Sequence, residues 1–319
     1  MSHDDVLLPA PTPQPVSPAS APDGPAPTVG VLGLGAMGLP MAEHLLAAHG
    51  ALTVSSRRPR PELTDRGAAW AATPRELAAA STAVLVMLPD LPELEPLLEG
   101  EDGLLAGAGD LLLMIGSTSS PVAVRALDAD LRSRTDGRVR VVDCPVSGGE
   151  DGARAGTLSI MLGGAEEDTA LAARLLAACG TPVRLGPLGA GEVAKACNQL
   201  IVGATALALG EVTVLAERSG IDLETLFDVL GGGYAGSAFL RARREKFTTG
   251  DDSPSGVAKY MVKDLRFAAE TAEATGTQGT LLPALRAAYD ELVDAGLGDL
   301  DLAATRRFTA GRSGAREEG

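Results

Sequence analysis

Gly33, Gly35 and Gly38 stand in a G-x-G-x-x-G frame within Val29-Gly-Val-Leu-Gly-Leu-Gly-Ala-Met-Gly38. A short apolar run leads into the frame and a helical pattern leaves it. In that setting Gly33 permits a tight turn out of a strand, Gly35 lets the backbone approach a pyrophosphate, and Gly38 lets the helix pack close to the strand. The segment Gly33, Leu34, Gly35, Ala36, Met37 and Gly38 is therefore the expected dinucleotide cradle, with the N–H groups of the helix start turned toward the phosphates. At the end of the next strand, NAD sites place Asp or Glu against the ribose hydroxyls. This chain has Ser56, Arg57 and Arg58 there. With Ser55 just before them, two guanidiniums and two hydroxyls suit the extra 2′-phosphate of NADP, so NADP is the expected cofactor, with NAD possible.

Other reactive side chains are few. His3 lies near the start of the chain, and His44 and His49 lie on the first helix, so no downstream histidine is available as a catalytic acid or metal ligand. Cys144, Cys179 and Cys197 are odd in number and fit neither a zinc site nor a disulfide framework. No metal site is expected, and a reducing cytoplasm is the natural setting.

The elements that must position these groups follow a regular pattern. Residues 1–27 are rich in Pro and Ala and bury too little apolar surface to offset the entropy of ordering, so a disordered tail is expected. Strands are expected at Thr28–Gly33, Leu52–Ser55, Ala83–Leu88, Leu111–Ile115, Val139–Asp143, Thr157–Leu162 and Val183–Leu185. Helical patterns separate them, beginning with Met37–His49, and Thr73-Pro-Arg-Glu76 reads as a capping box. Beyond Gly191 only helices are expected, at Glu192–Ser219, Asp222–Leu230, Ala238–Phe247, Val257–Ala274 and Leu281–Ala295. The fold class that results is an α/β Rossmann-type N-terminal domain over 28–188, doubly wound on a mostly parallel sheet. An all-α C-terminal domain with a long interdomain helix follows over 189–310, and a flexible tail over 311–319.

The 319 residues carry a formal charge of −15, which disfavours nucleic acid and anionic membranes as partners. No apolar run reaching the roughly 20 residues of a membrane span is expected. The expected partner is a small molecule. Aromatics make up only 3% of the chain, so the core must be built from Ala, Leu and Val.

Several separated motifs resemble the β-hydroxyacid dehydrogenases. They are Gly33-Leu-Gly-Ala-Met-Gly-Leu-Pro-Met-Ala42, Met87-Leu-Pro89, Ser117-Thr-Ser-Ser-Pro121, Asp143-Cys-Pro-Val-Ser-Gly-Gly149, Gly189-Ala-Gly-Glu-Val-Ala-Lys-Ala-Cys-Asn-Gln199 and Val262-Lys-Asp-Leu265. The resemblance spans Thr28 to Phe308. It implies cofactor contacts at Leu88, Pro89, Thr118 and Lys263, a substrate-carboxylate loop at Ser147, Gly148 and Gly149, and a catalytic lysine at Lys195. The loop Gly231–Leu240 resembles that of tartronate semialdehyde reductases, which points to Ser237 as a contact for a substrate hydroxyl. The family also implies a homodimer or homotetramer. The implied substrate is a short β-hydroxyacid or its semialdehyde, of the 3-hydroxyisobutyrate or 2-hydroxy-3-oxopropionate type.

The residues themselves are consistent with these roles. A Ser-Gly-Gly turn offers bare N–H groups to a carboxylate. On a helix, Lys195, Asn198 and Gln199 share a face by i+3 and i+4 spacing, presenting an ammonium and two amides to one small substrate. Glu192 lies one turn earlier on the same face; it could orient Lys195 or cap the helix start, and the cap is the favoured reading. Hydride transfer to a carbonyl builds negative charge on oxygen that a positioned donor must neutralise, and Lys195 is the best candidate. Two alternatives remain, an imine or larger-carbonyl reductase and a cofactor-sensing protein without catalysis. The imine reductases share this architecture but usually lack the lysine.

Overall fold

The computed structural model describes residues 26–314; the expected disordered tail up to residue 25, and residues 315–319, lie outside the described residues. The first half alternates strand and helix. Its elements are β1 (Val29–Leu32), α1 (Gly38–His49), β2 (Thr53–Ser55), α2 (Pro61–Thr64), β3 (Ala69–Trp70), α3 (Pro74–Ala79), β4 (Ala83–Val86), α4 (Glu95–Leu98), α5 (Leu104–Gly107), β5 (Leu111–Ile115), α6 (Pro121–Arg134), β6 (Val139–Asp143), β7 (Val146–Ser147), α7 (Gly149–Ala155), β8 (Leu158–Gly163), α8 (Glu166–Leu176) and β9 (Gly180–Gly186). The second half is helical: α9 (Ala190–Arg218), α10 (Leu223–Gly232), α11 (Ala238–Thr249), α12 (Lys259–Thr275), α13 (Leu281–Asp294) and α14 (Thr305–Gly314).

The strands form one sheet in the order β3-β2-β1-β4-β5-β6-β8-β7, with β9 paired to β8. Pairing is parallel from β3 through β6. It turns antiparallel where β8 meets β6 and β7. β1, β4 and β5 are buried at every position because helices cover both faces. Successive side chains point to opposite sides. Leu85, Leu112 and Met114 pack with Met41 and Leu45 of α1. Val84, Val86 and Leu113 pack instead with Leu77 of α3 and Val124 and Leu131 of α6. The chain leaves β1 for β2 on one side and returns to β4 on the other. That reversal opens a crevice at the carboxyl ends of β1 and β4, where open α/β sheets take their ligands.

Most expected elements are present with ends shifted by a few residues; Val183–Leu185 is the inner part of the seven-residue β9. β3 and β7 are two residues each, too short to leave a pattern. Thr73 Oγ accepts the N–H of Glu76 at 3.2 Å, but Glu76 returns the bond to Ala72 N–H at 2.7 Å, one residue earlier than a capping box requires. α14 continues to Gly314, beyond residue 311 where a loose tail was expected.

One expectation about α9 is overturned. By length and composition it is apolar enough to cross a membrane, with 29 residues and a mean hydropathy of 1.7 in its most apolar window. Glu211 breaks the run into shorter apolar stretches, and the Leu, Ile and Val residues on either side outweigh it in the average. α9 is the axis of the helical half: Ala196 and Ala206 pack with Met261, Leu265 and Tyr289, and Tyr289 Oη donates to Gly203 O at 3.0 Å.

Candidate active site

The glycine frame forms the turn between β1 and α1. Gly33 has φ +98°, and a Cβ there would lie 2.5 Å from Met87 O. A Cβ on Gly38 would run into the carbonyl of Gly33, whereas around Gly35 the space is open to beyond 4 Å. Gly35 and Ala36 are exposed, Met37 is half-buried, and Leu34 is buried. No side chain caps α1 and no acid sits in its first turn. Within that turn Leu39 N–H donates to Gly35 O at 3.0 Å and Pro40 has no N–H, so it is the backbone entering the helix and the open space over Gly35 that fit a pyrophosphate. Beside this cradle Ser56 Oγ donates to Arg58 O at 2.7 Å, and the side chains of Arg57 and Arg58 are exposed. Arg60, which the sequence reading did not single out, reaches back and donates to Leu34 O at 3.0 Å.

The opposite wall comes from the loops after β4 and β5. Leu88 N–H donates to Ser117 Oγ at 3.1 Å. Lys263 of α12 donates to Pro89 O at 2.7 Å and to Thr118 O at 2.6 Å, so one ammonium ties the helical half to both loops. Leu88, Pro89, Thr118 and Lys263 are thus brought together, and Lys263 already has a protein-binding duty.

Lys195 projects from the second turn of α9 and is 8% exposed. Its Nζ donates to Val146 O at 2.8 Å, directly before Ser147. Ser147 Oγ donates to Asn198 Oδ1 at 3.3 Å. Asn198 Nδ2 donates to Gln199 Oε1 at 2.9 Å, and Gln199 Nε2 donates to the carboxylate of Asp264 on α12. The expected trio therefore divides. Lys195 and Asn198 meet the Ser147–Gly149 turn, while Gln199 faces the buried Asp264. Gly148 and Gly149 are exposed, with φ +137° and +64°. Burial pushes the Lys195 amine below its ordinary pKa; Asp264 and Glu192 pull it back up, and Lys263 pushes it further down. Burial also raises the carboxyl of Asp264 above the usual range, against the pull of Lys263 and Lys195.

Glu192 is not the helix cap. Its carboxylate is 1% exposed and receives Ser119 Oγ–H at 2.9 Å and Ser119 N–H at 3.1 Å. The cap is Asp143, fully buried at the end of β6. Its Oδ1 accepts Gly189 N–H at 2.7 Å and its Oδ2 accepts Glu192 N–H at 2.8 Å. A carboxylate from a preceding strand caps the helix while Glu192 is committed to Ser119. Burial raises the carboxyl of Glu192 well above its ordinary range, and that of Asp143 in the same direction.

Ser237 is the N-cap of α11 and its Oγ accepts Leu240 N–H at 3.0 Å, which leaves its O–H as a donor. Cys144 is buried beside the turn, and burial raises its thiol well above the ordinary range. Sequence reasoning missed the roles of Asp143, Ser117, Ser119 and Asp264. The signal for Asp143 was an acid closing an otherwise apolar strand; for Asp264 it was an acid next to Lys263 on a helix.

Two family models cover the described chain. Residues 28–197 match the NAD binding domain of 6-phosphogluconate dehydrogenase, and residues 189–309 match the NAD-binding domain of NADP-dependent 3-hydroxyisobutyrate dehydrogenase. The chain is 36% identical over 247 residues, 76% of its length and 77% of the relative's, to a probable 3-hydroxyisobutyrate dehydrogenase-like protein of Arabidopsis thaliana. It is 34% identical over 249 residues, 77% of its length and 84% of the relative's, to 2-hydroxy-3-oxopropionate reductase of Escherichia coli. Among solved structures, 3-hydroxyisobutyrate dehydrogenase of Salmonella typhimurium superposes with a TM-score of 0.79 at 27% identity, over 88% of this chain and 99% of that one.

Proposed function

Because the chain belongs to the β-hydroxyacid dehydrogenase family, a group of nicotinamide-dependent oxidoreductases acting on CH–OH, we propose that it interconverts a short β-hydroxyacid and its semialdehyde with NADP(H), using Lys195 as general acid and base. The observation that carries this reading is the position of Lys195. Its ammonium is buried, lies against Val146 at the mouth of the Ser147–Gly149 turn, and has a depressed pKa.

The cofactor, when bound, gives or takes the hydride. The protein does the rest. Gly33, Leu34, Gly35, Ala36, Met37 and Gly38 hold the pyrophosphate, and Ser56, Arg57 and Arg58 hold the 2′-phosphate. Leu88, Pro89 and Thr118 would contact the nicotinamide end, with Lys263 fixing the backbones of Pro89 and Thr118 and Ser117 that of Leu88. Ser147, Gly148 and Gly149 orient the substrate carboxylate and Asn198 a neighbouring hydroxyl. Lys195 Nζ donates a proton to the oxygen of the semialdehyde as charge builds there, and the neutral amine takes the alcohol proton in reverse. The lowered pKa matters because an unperturbed lysine is almost wholly protonated near neutrality and a poor base.

A substrate of the 3-hydroxyisobutyrate or 2-hydroxy-3-oxopropionate type is supported by the relatives of those names, and the contact of Ser147 with Asn198 is compatible with a short acid. The enzyme works in the cytoplasm as a homodimer or homotetramer. Ile201 and Leu215, 67% and 69% exposed and about four turns apart on one face of α9, supply an apolar seam for a second copy. The test is a cofactor-linked panel of small hydroxy acids and semialdehydes with NADPH and NADH. Oxidation of NADPH by a three- or four-carbon semialdehyde acid is expected, and no turnover across the panel would overturn the reading.

A further inference from the structure

Arg243 of α11 carries a guanidinium into the interior without a hydrogen bond to hold its Nε. The residue is 9% exposed, and Nε is buried without a partner among the described residues. Two carboxylates stand off at 3.5 Å, Asp301 Oδ1 from Nε and Asp151 Oδ2 from Nη1. Asp301 is already committed: its oxygens accept Ala303 N–H at 3.0 Å, Ser255 Oγ–H at 2.7 Å and Gly256 N–H at 2.8 Å. Asp151 lies across the cleft on α7 with its side chain 78% exposed, so it can turn to solvent without loss. Nη2 lies 3.9 Å from where a Cβ on Gly149 would stand. It lies 3.3 Å from where a Cβ on Gly256 would stand, so the guanidinium sits between the backbone before α12 and the turn whose Ser147 meets Asn198 and whose Val146 holds Lys195.

A guanidinium taken out of water needs hydrogen-bonded partners to replace its hydration. Here the nearby acids only half supply them. The planar fork matches a carboxylate with two parallel N–H···O bonds. We propose that Arg243 clamps the substrate's carboxylate at the Ser147–Gly149 turn and so makes the enzyme select free acids over their esters and amides. The inference deepens the functional reading above and rests on it. Asp151 is the competitor: it stands 3.5 Å from Nη1 and yields to the substrate.

The test compares oxidation of 3-hydroxyisobutyrate and of its methyl ester by wild type, Arg243→Gln, Arg243→Lys and Asp151→Asn. Arg243→Gln should raise KM for the acid about 10- to 100-fold, the share of a charge-assisted bond. It should leave kcat and the ester's KM nearly unchanged. Arg243→Lys keeps a cation beside Asp301 and should recover only part of the loss, because an ammonium has no fork. Asp151→Asn should lower KM for the acid and keep the melting temperature. Calorimetry of the nicotinamide-loaded protein with malonate separates this inference from the functional reading. Wild type should bind malonate at least about tenfold more tightly than Arg243→Gln even if neither hydroxy compound is oxidised. Equal KM changes for acid and ester, or equal malonate binding, or an Asp151→Asn variant that loses melting temperature without gaining affinity, would each reduce Arg243 to a tie between the two halves and overturn the proposal.

Discussion

The carboxylate of Asp143 accepts the backbone N–H of Glu192 at 2.8 Å, joining the last residue of β6 to the first turn of α9. Its other oxygen accepts Gly189 N–H at 2.7 Å. A single buried side chain thereby fixes the helix that carries Lys195 against the strand that leads into the Ser147–Gly149 turn. The space for it is made by Gly191, where a Cβ would stand 2.8 Å from Asp143 Oδ2.

Asp143→Asn should be destabilising out of proportion to the atoms changed. An amide accepts at one end only, so its NH₂ is forced against one of the two N–H groups. Leaving a buried donor unpaired costs about 1–3 kcal/mol. Urea denaturation should show that loss, and the variant should turn over more slowly as the Lys195 end of α9 loosens. A midpoint equal to wild type would mean that the cap is dispensable.

The carboxylates around Lys195 set its pH response. Burial lowers the lysine's pKa, while Asp264 first and Glu192 second raise it. Removing either negative charge should therefore lower the pKa further. In the oxidative direction the neutral amine is the active form, so kcat/KM rises with pH up to the lysine's pKa and levels off above it. In Asp264→Asn that rising limb should move to lower pH, and in Glu192→Gln it should move the same way by less. In the reductive direction the falling limb should move with it. Profiles of kcat/KM against pH at saturating cofactor decide the matter; a limb that stays in place or moves upward would show that these acids do not govern Lys195.

Cofactor preference should follow the turn after β2. Arg57 and Arg58 are exposed beside the cradle and free to meet a 2′-phosphate. Replacing both by Ala should raise the Kd for NADPH at least about tenfold, since charge-assisted bonds to phosphate are lost. The Kd for NADH should hardly change. Fluorescence titration of both cofactors checks this, and a wild type that prefers NADH would show that the two arginines are only solvated surface.

Much of this was legible before any coordinates. Strand runs such as Leu111–Ile115 are continuous apolar stretches, and the glycine frame announces its own turn, because both are local patterns. The division of labour in the site was not legible. The i+3 and i+4 spacing put Lys195, Asn198 and Gln199 on one face, yet that face spans two neighbours, so Asn198 meets Ser147 and Gln199 meets Asp264. The helix cap was assigned to Glu192 because capping is usually local, whereas the carboxylate that caps α9 arrives from 49 positions earlier in the chain. Long-range pairings between buried polar groups leave no periodic trace in a sequence.

Lys195 is the residue on which the proposed chemistry turns. Its Nζ is held by Val146 O at 2.8 Å, away from the glycine frame, so it should add little to cofactor binding. Lys195→Ala should keep the fold and titrate NADP(H) normally. It removes a buried positive charge near Glu192 and Asp264, although Lys263 still stands 3.7 Å from Asp264, so a modest change in melting temperature is expected and must be measured alongside. Turnover should fall by at least about 10²–10⁴, the usual share of general acid–base catalysis. Lys195→Arg should not rescue it: a guanidinium is broader than an ammonium and does not release its proton near neutrality. The measurement is steady-state reduction of the best semialdehyde from the panel, with cofactor titration as control. Near-normal turnover in the alanine variant would place the proton donor elsewhere and move the enzyme toward the imine-reducing chemistry that this architecture also supports without a lysine.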